Sequence, residues 1–80
     1  MVEIKVYLNE IEKLNSFANT TSTFESDIDA VRGHYVIDAK SIMGLMSLDL
    51  SKPLDIILHS DDEGEIARFN EVMKKYQQTS

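Results

Sequence analysis

Ser41 is the residue of this chain best placed for covalent chemistry. It stands directly before an apolar run in which Ile42, Leu45 and Met46 follow at helical spacing, so a short helix is expected to begin there. A serine at a helix N-terminus can cap free backbone N–H groups. A phosphate at the same place would be favoured by those groups and by the helix dipole. Ser41 is therefore a candidate for phosphorylation, with a plain N-cap as the alternative.

The two histidines, His34 and His59, are the other residues able to accept a phosphoryl group. His34 falls in a predicted turn, and His59 ends a predicted strand with Asp61 and Asp62 close behind it. Nothing in the sequence around either one makes a phosphate-friendly pocket, and the pair lacks the spacing of a metal site. We expect both to be ordinary surface side chains.

Four acidic residues precede the last predicted helix: Asp61, Asp62, Glu63 and Glu65. Their spacing differs from that of a calcium-binding EF-hand loop, whereas a charged helix start explains them well. The sequence also contains no nucleophile elbow, no Gly-rich phosphate loop and no metal motif. We therefore predict that the protein is not an enzyme and uses no cofactor and no metal.

These residues are positioned by strands and helices that alternate along the chain. Period-two alternation predicts strands, and helical spacing predicts helices. The predicted strands cover residues 2–8, 27–31, 34–38 and 54–59; the predicted helices cover 10–20, 41–48 and an apolar stripe from Ile66 to Tyr76. The tail at 77–80 is expected to fray.

Particular residues mark the ends of these elements. Asn9 is expected to cap the first helix, and Ser60, Asp61 and Asp62 compete to cap the last one. Gly33-His34 offers the turn of a hairpin. The predicted fold is α+β in the order β-α-β-β-α-β-α, with a largely antiparallel sheet whose apolar face is covered by the two long helices.

The composition restricts the class of protein. Eighty residues make one domain, 1–80, and the chain has no cysteine. A net charge of −6 argues against a general nucleic-acid binder. No apolar segment approaches the roughly 18 residues of a membrane span, and acids near the N-terminus argue against a secretory signal. We expect a cytoplasmic protein that binds neither nucleic acid nor membrane.

The short helix after Ser41 carries more apolar residues than two turns can bury. Spacing places Ile42, Leu45 and Leu48 on the inward side, which leaves Met43 and Met46 facing outward. Exposed methionines suit an adaptable docking surface, because the side chain is flexible and polarisable. The alternative is a core helix with incidental exposure.

The segments FESDIDAVRGHYVID (24–38) and AKSIMGLMSL (39–48) resemble HPr, the histidine phosphocarrier protein of the bacterial sugar phosphotransferase system. The second segment is nearly the serine-phosphorylation segment of the family's Gram-positive form, and the likeness extends more loosely to Tyr76. The resemblance implies an open-faced β-sandwich, in which a four-stranded antiparallel sheet carries helices on one face.

The first helix departs from the family pattern. HPr proteins carry there a His that accepts phosphate from enzyme I and an Arg that assists it, whereas this chain has YLNEIEKLNSF (7–17). Counting back from Phe17 places Glu10 at the His position and Glu12 at the Arg position. Carboxylates at a helix start suit the dipole but repel a phosphoryl group. These residues form a degenerate phosphocarrier site.

The resemblance also implies roles for the residues that match. Ser41 corresponds to the regulatory serine, and Ile42, Met43 and Met46 correspond to a docking patch for protein partners such as a serine kinase or a transcriptional regulator. The predicted function is a regulatory or protein-interaction module that docks through the surface from Ser41 to Leu48, without His phosphotransfer. The alternatives are a residual phosphocarrier using His34 or His59, and a scaffold with changed partners. The oligomeric state stays open.

Overall fold

The computed structural model describes residues 1–78 of the 80-residue chain. The elements follow in the order β-α-β-β-α-β-α, as the sequence predicts. They are β1 (Val2–Val6), α1 (Ile11–Thr21), β2 (Ile28–Arg32), β3 (Tyr35–Asp38), α2 (Ile42–Met46), β4 (Leu54–Leu58) and α3 (Glu63–Met73), which a 3-10 turn (Lys74–Tyr76) extends. Of the tail expected to fray, residues 79–80 lie outside the described part.

The four strands form one sheet in the order β1-β4-β2-β3. Every neighbouring pair is antiparallel, and Ile56 of β4 stands between Ile4 of β1 and Ala30 of β2. Apolar residues at every second position of a strand point to the same face. The sheet therefore has one apolar face, and the predicted α+β class with an antiparallel sheet is confirmed.

The hairpin between β2 and β3 turns through Gly33 and His34, since Arg32 pairs with Tyr35. Gly33 has a φ of +61°. Glycine with positive φ at the first of two turn residues is the pattern of a type II′ turn, whose twist suits a two-residue hairpin. The predicted hairpin is confirmed, although β3 begins at Tyr35 rather than at His34 because His34 belongs to the turn.

The core lies between the apolar face of the sheet and the helices. Phe17 of α1 meets Tyr76 edge-on at 5.2 Å between ring centroids, and Phe24 meets Phe69 of α3 at 5.7 Å. The Tyr76 carbonyl accepts a 2.7 Å hydrogen bond from the Tyr7 backbone N–H. The chain's last turn is thus fixed against the end of β1.

Two predicted helix limits are wrong. Glu10, not Asn9, is the N-cap of α1, because the Glu10 carbonyl accepts the first helical hydrogen bond from Leu14 N. The last helix tightens into a 3-10 turn at Lys74, whereas the apolar stripe predicts one helix as far as Tyr76. At the N-terminal end of α3, Asp62 is the N-cap among the three predicted candidates. Its carboxylate accepts a 2.8 Å hydrogen bond from Glu65 N. No helix within residues 1–78 has the length and apolar character to cross a bilayer.

Candidate functional site

Ser41 occupies the N-cap of α2, as the sequence predicts. Its backbone is extended, with φ −95° and ψ 109°, and its Oγ accepts a 3.2 Å hydrogen bond from Gly44 N. Its carbonyl accepts from Leu45 N at 3.0 Å, which begins the helix. The hydroxyl is therefore held at the end of the helix where free N–H groups gather.

The segment that leads into Ser41 is anchored to both the sheet and α1. The backbone N–H of the fully buried Ala39 donates to Ile28 O at 2.8 Å. The buried hydroxyl of Thr21, at the end of α1, donates to Ala39 O at 2.8 Å. Lys40 Nζ donates to Phe24 O at 2.7 Å, so its ammonium group is already engaged by a loop carbonyl. These contacts fix the start of α2.

The helix α2 buries one side and exposes the other. Leu45 is completely buried and Leu48 is 9% exposed, whereas Met43 is 81% and Met46 is 55% exposed. Ile42 lies between these extremes and packs partly against the core. The inward placement of Leu45 and Leu48 and the outward placement of both methionines are confirmed. Ile42 is only partly inward, because the first turn of a five-residue helix lies at the margin of the core.

A second apolar side chain reaches the surface on α1, and sequence reasoning missed it. Helical spacing groups Ile11 with the core stripe of Leu14 and Phe17, yet Ile11 is 59% exposed while the other two are buried. Ile11 is the first residue of its helix. Ile11 and Leu14 line a cleft of about 370 Å³ together with Leu50.

Of the two acidic residues at the start of α1, Glu10 lines the same cleft and Glu12 does not. Glu10 has extended backbone angles and makes no side-chain capping hydrogen bond, and Glu12 lies in the first helical turn. Both side chains are exposed. Two carboxylates at a helix N-terminus are compatible with its dipole, but they oppose the approach of an anion.

The two histidines lie at opposite ends of β2. His34 is exposed in the hairpin turn that follows Arg32, whereas His59 comes after Leu58, which pairs with Ile28. The Nε2 atom of His59 lies 2.7 Å from Asp29 Oδ2. Within residues 1–78, no three His, Asp or Glu side chains are grouped as a metal site would require.

Three of the four acidic residues at the start of α3 have a structural contact. Asp62 caps the helix, Asp61 lies 3.3 Å from the N-terminal amino group, and Glu65 accepts hydrogen bonds from the hydroxyl and backbone N–H of Ser26. The Ser26 hydroxyl, followed by that of Ser60, lowers the pKa of Glu65 below its ordinary value. Glu63 is exposed in the first turn. The cluster thus stabilises a helix start.

Comparison with known proteins places this geometry in a family. The family described as PTS HPr component phosphorylation site matches residues 14–77, a range that begins after Glu10 and Glu12. A search of curated protein sequences finds no match.

Solved structures show the same fold. HPr-C-His from Thermoanaerobacter tengcongensis superposes with a TM-score of 0.74 at 26% identity, over 96% of this chain and 94% of that one. The Bacillus subtilis catabolite repression protein Crh, described as a domain-swapped dimer, gives 0.69 at 27% identity, over 100% and 91%. The histidine-containing phosphocarrier protein of Mycoplasma shares the fold, with 0.70 at 16% identity over 99% of both chains. Because the family match spans most of the sequence, the chain belongs to the HPr family of the phosphotransferase system.

Proposed function

We propose that this HPr-family protein is a regulatory or protein-interaction module that docks its partners through the α2 surface, residues 41–48, and does not carry phosphate on histidine. The observation that carries the proposal is the exposure of Met43 and Met46, at 81% and 55%, on a helix anchored by the fully buried Leu45. The function is non-catalytic, and the protein works in the cytoplasm.

The physical support is the cost of leaving such side chains in water. Full burial of a large apolar side chain is favourable by roughly 1.5–3 kcal/mol. A partner that covers the two exposed methionines would therefore be stabilised by their burial. Their flexibility lets the surface adapt to more than one partner. Ile42, which is only partly buried, extends the apolar patch toward Ser41.

The absence of histidine phosphotransfer is supported by charge. Residues 7–17 contain no histidine, and Glu10 and Glu12 bring negative charge to the start of α1. A phosphoryl group on His59 would meet Asp29, whose carboxylate already binds the Nε2 atom. His34 stands in an exposed turn. Neither histidine lies at the start of α1, where the family carries its phosphate.

Ser41 gives this surface a means of regulation. Phosphorylation there would add up to two negative charges and three acceptor oxygens beside the N–H groups of the first turn. Lys40 directly precedes Ser41 in the sequence, but its Nζ already donates to Phe24 O. The new charge would therefore act mainly on a partner. A serine kinase that modifies the site, and a transcriptional regulator that recognises it, are the partners that suit such a switch.

Binding to the surface is testable with charge substitutions. Met43→Asp and Met46→Asp should each abolish capture of partner proteins from the native cytoplasm by the immobilised protein. Val36→Asp is the matched control, since Val36 is 62% exposed and lies on β3 rather than on α2. Partners that both methionine variants lose and the control retains support the proposal. Capture that is the same with all three variants would contradict it.

A further inference from the structure

A cleft of about 370 Å³ separates the turn of the β2–β3 hairpin from the segment that follows α2. The cleft shares Ser47 and Leu48 with the edge of the proposed docking surface, but the exposed Met43 and Met46 do not line it. Its walls are formed by side chains of the hairpin end and of the segment after α2, namely Arg32, His34, Tyr35, Ser47, Leu48 and Asp49. The volume is within the range of pockets that hold small ligands.

Arg32 has unused hydrogen-bonding capacity in this cleft. Its Nε is buried and has no hydrogen-bond partner within the described chain. No carboxylate of residues 1–78 lies within ion-pair distance of its guanidinium group. The Nη groups of Arg32 are not buried and have no partner within residues 1–78, so an acceptor that enters the cleft can reach them.

The surrounding groups select the kind of acceptor. The two Nη groups of a guanidinium group present a pair of parallel N–H donors that matches the two oxygens of a carboxylate. Asp49 lies across the cleft, and hydrogen bonds from Ser51 hold its pKa below the ordinary value, with weaker help from Lys52 and Arg32. This ionised group disfavours a doubly charged phosphate more than a singly charged carboxylate.

The rest of the lining favours a ligand with an apolar body. The ring of Tyr35, which is 67% exposed, and the side chain of Leu48 offer apolar contacts beside the charged end. His34 and Ser47 add polar groups at the rim. An aromatic ring or a short aliphatic chain attached to the carboxylate fits this arrangement.

We propose that this cleft binds a carboxylate group carried on an apolar body and holds it end-on through the two Nη groups of Arg32. The proposal does not rest on the docking function, although Ser47 and Leu48 belong to both surfaces. The carboxylate can belong to a small molecule or to an acidic side chain of another protein. Benzoate represents the first source, and a dipeptide of aspartate and leucine, blocked at both ends as amides, represents the second.

Titration of the ¹⁵N-labelled full chain tests the proposal. We expect saturable NMR shifts of the Arg32 Nε–H signal and of the His34 and Ser47 backbone amides with at least one of the two carboxylates, and weaker binding of inorganic phosphate. Arg32→Gln should weaken carboxylate binding by about tenfold or more. Arg32→Lys should also weaken it, because lysine keeps the charge but loses the paired donors.

Lys52→Gln is the matched control, because it removes a nearby cation that does not line the cleft. It should change the affinity by no more than about twofold. Binding of benzoate alone assigns the site to small molecules, and binding of the blocked aspartate–leucine dipeptide alone assigns it to a protein side chain. Shifts that never saturate, shifts unchanged in a folded Arg32→Gln variant, or tighter binding of phosphate would each overturn the proposal.

Discussion

A side-chain Cβ on Gly44 would overlap Cγ2 of Ile37, so the backbone of α2 rests directly on a side chain of β3. Cγ2 lies next to the backbone of Ile37 and cannot swing away as the end of a long side chain can. This contact sets how closely the helix approaches the sheet. It therefore also sets which residues of α2 face inward and which face outward.

Gly44→Ala should lower the free energy of unfolding by about 1–3 kcal/mol, because the overlap outweighs the better helix propensity of alanine. In an Ile37→Ala background the same change should be neutral or stabilising. Gly64→Ala is the control, since its added Cβ meets only Asp62 Oδ2 at an ordinary 3.4 Å. Urea titration of the four Gly44/Ile37 variants measures the coupling, and an equal cost in both backgrounds would show that the overlap is not what matters.

Met43→Asp and Leu45→Ala should affect stability very differently. Met43 is 81% exposed, so its substitution should change the free energy of unfolding by no more than about 0.5 kcal/mol. Leu45 is fully buried, so its truncation should cost about 2–5 kcal/mol. Thermal melts of both variants decide the matter. A domain unfolded by Met43→Asp but unaffected by Leu45→Ala would contradict the orientation of α2.

The serine kinase of the family should phosphorylate Ser41 rather than Ser47 or Ser51. Ser47 lies at the C-terminal end of α2, where its hydroxyl donates to Gly44 O, and Ser51 donates to Asp49 Oδ1 at 2.6 Å. Helix carbonyls and a carboxylate both disfavour a new anion. Phosphosite mapping after kinase treatment, with an authentic HPr as the positive control, is the measurement. Labelling of Ser47, or no labelling while the control is modified, would leave Ser41 as an N-cap worth about 1 kcal/mol.

Glu65 should make the stability of the protein depend on pH. Its pKa is lowered from 4.5 in the folded chain, chiefly by the Ser26 hydroxyl. A lowered folded pKa stabilises the fold above the unfolded pKa, and this contribution is lost as the pH falls through the folded pKa. Glu65→Gln should therefore destabilise the protein at neutral pH, and the difference from wild type should shrink below a pH of about 4.5.

Glu63→Gln is the control for this effect, because Glu63 lies exposed in the same helical turn and makes no contact with Ser26. Urea unfolding of the three proteins from neutral to acidic pH gives the comparison. The proposed role of Glu65 would be refuted by a stability difference that stays constant over the whole range.

Short-range patterns predicted most of the architecture. Alternation located the four strands, and Gly33 marked the hairpin because only glycine readily adopts its positive φ. Helical spacing around Leu45 separated the buried from the exposed side of α2. This was possible because residues three or four positions apart lie on the same side of a helix. The cap at Asp62 is likewise a contact between residues only three apart.

Features that depend on the sheet order or on the ends of helices were not predictable in this way. His59 meets Asp29 because β4 lies beside β2, a pairing that neither local sequence encodes. The cleft at Arg32 forms between the hairpin and the segment after α2, two parts of the chain that α2 separates in the sequence. The exposure of Ile11 is a property of tertiary packing, because helical spacing alone assigns it to the buried stripe of α1. Each requires the assembled fold.

Incubation with enzyme I and phosphoenolpyruvate tests the central claim most directly. An HPr that retains its active-site histidine is incubated in parallel as the positive control. The start of α1 carries the carboxylates of Glu10 and Glu12, which repel a phosphoryl group, and the Asp29 carboxylate already binds the Nε2 atom of His59. We therefore predict that this protein stays unlabelled while the control is phosphorylated. Acid-labile phosphate on His34 or His59 would show that the chain is still a phosphocarrier and would contradict the account.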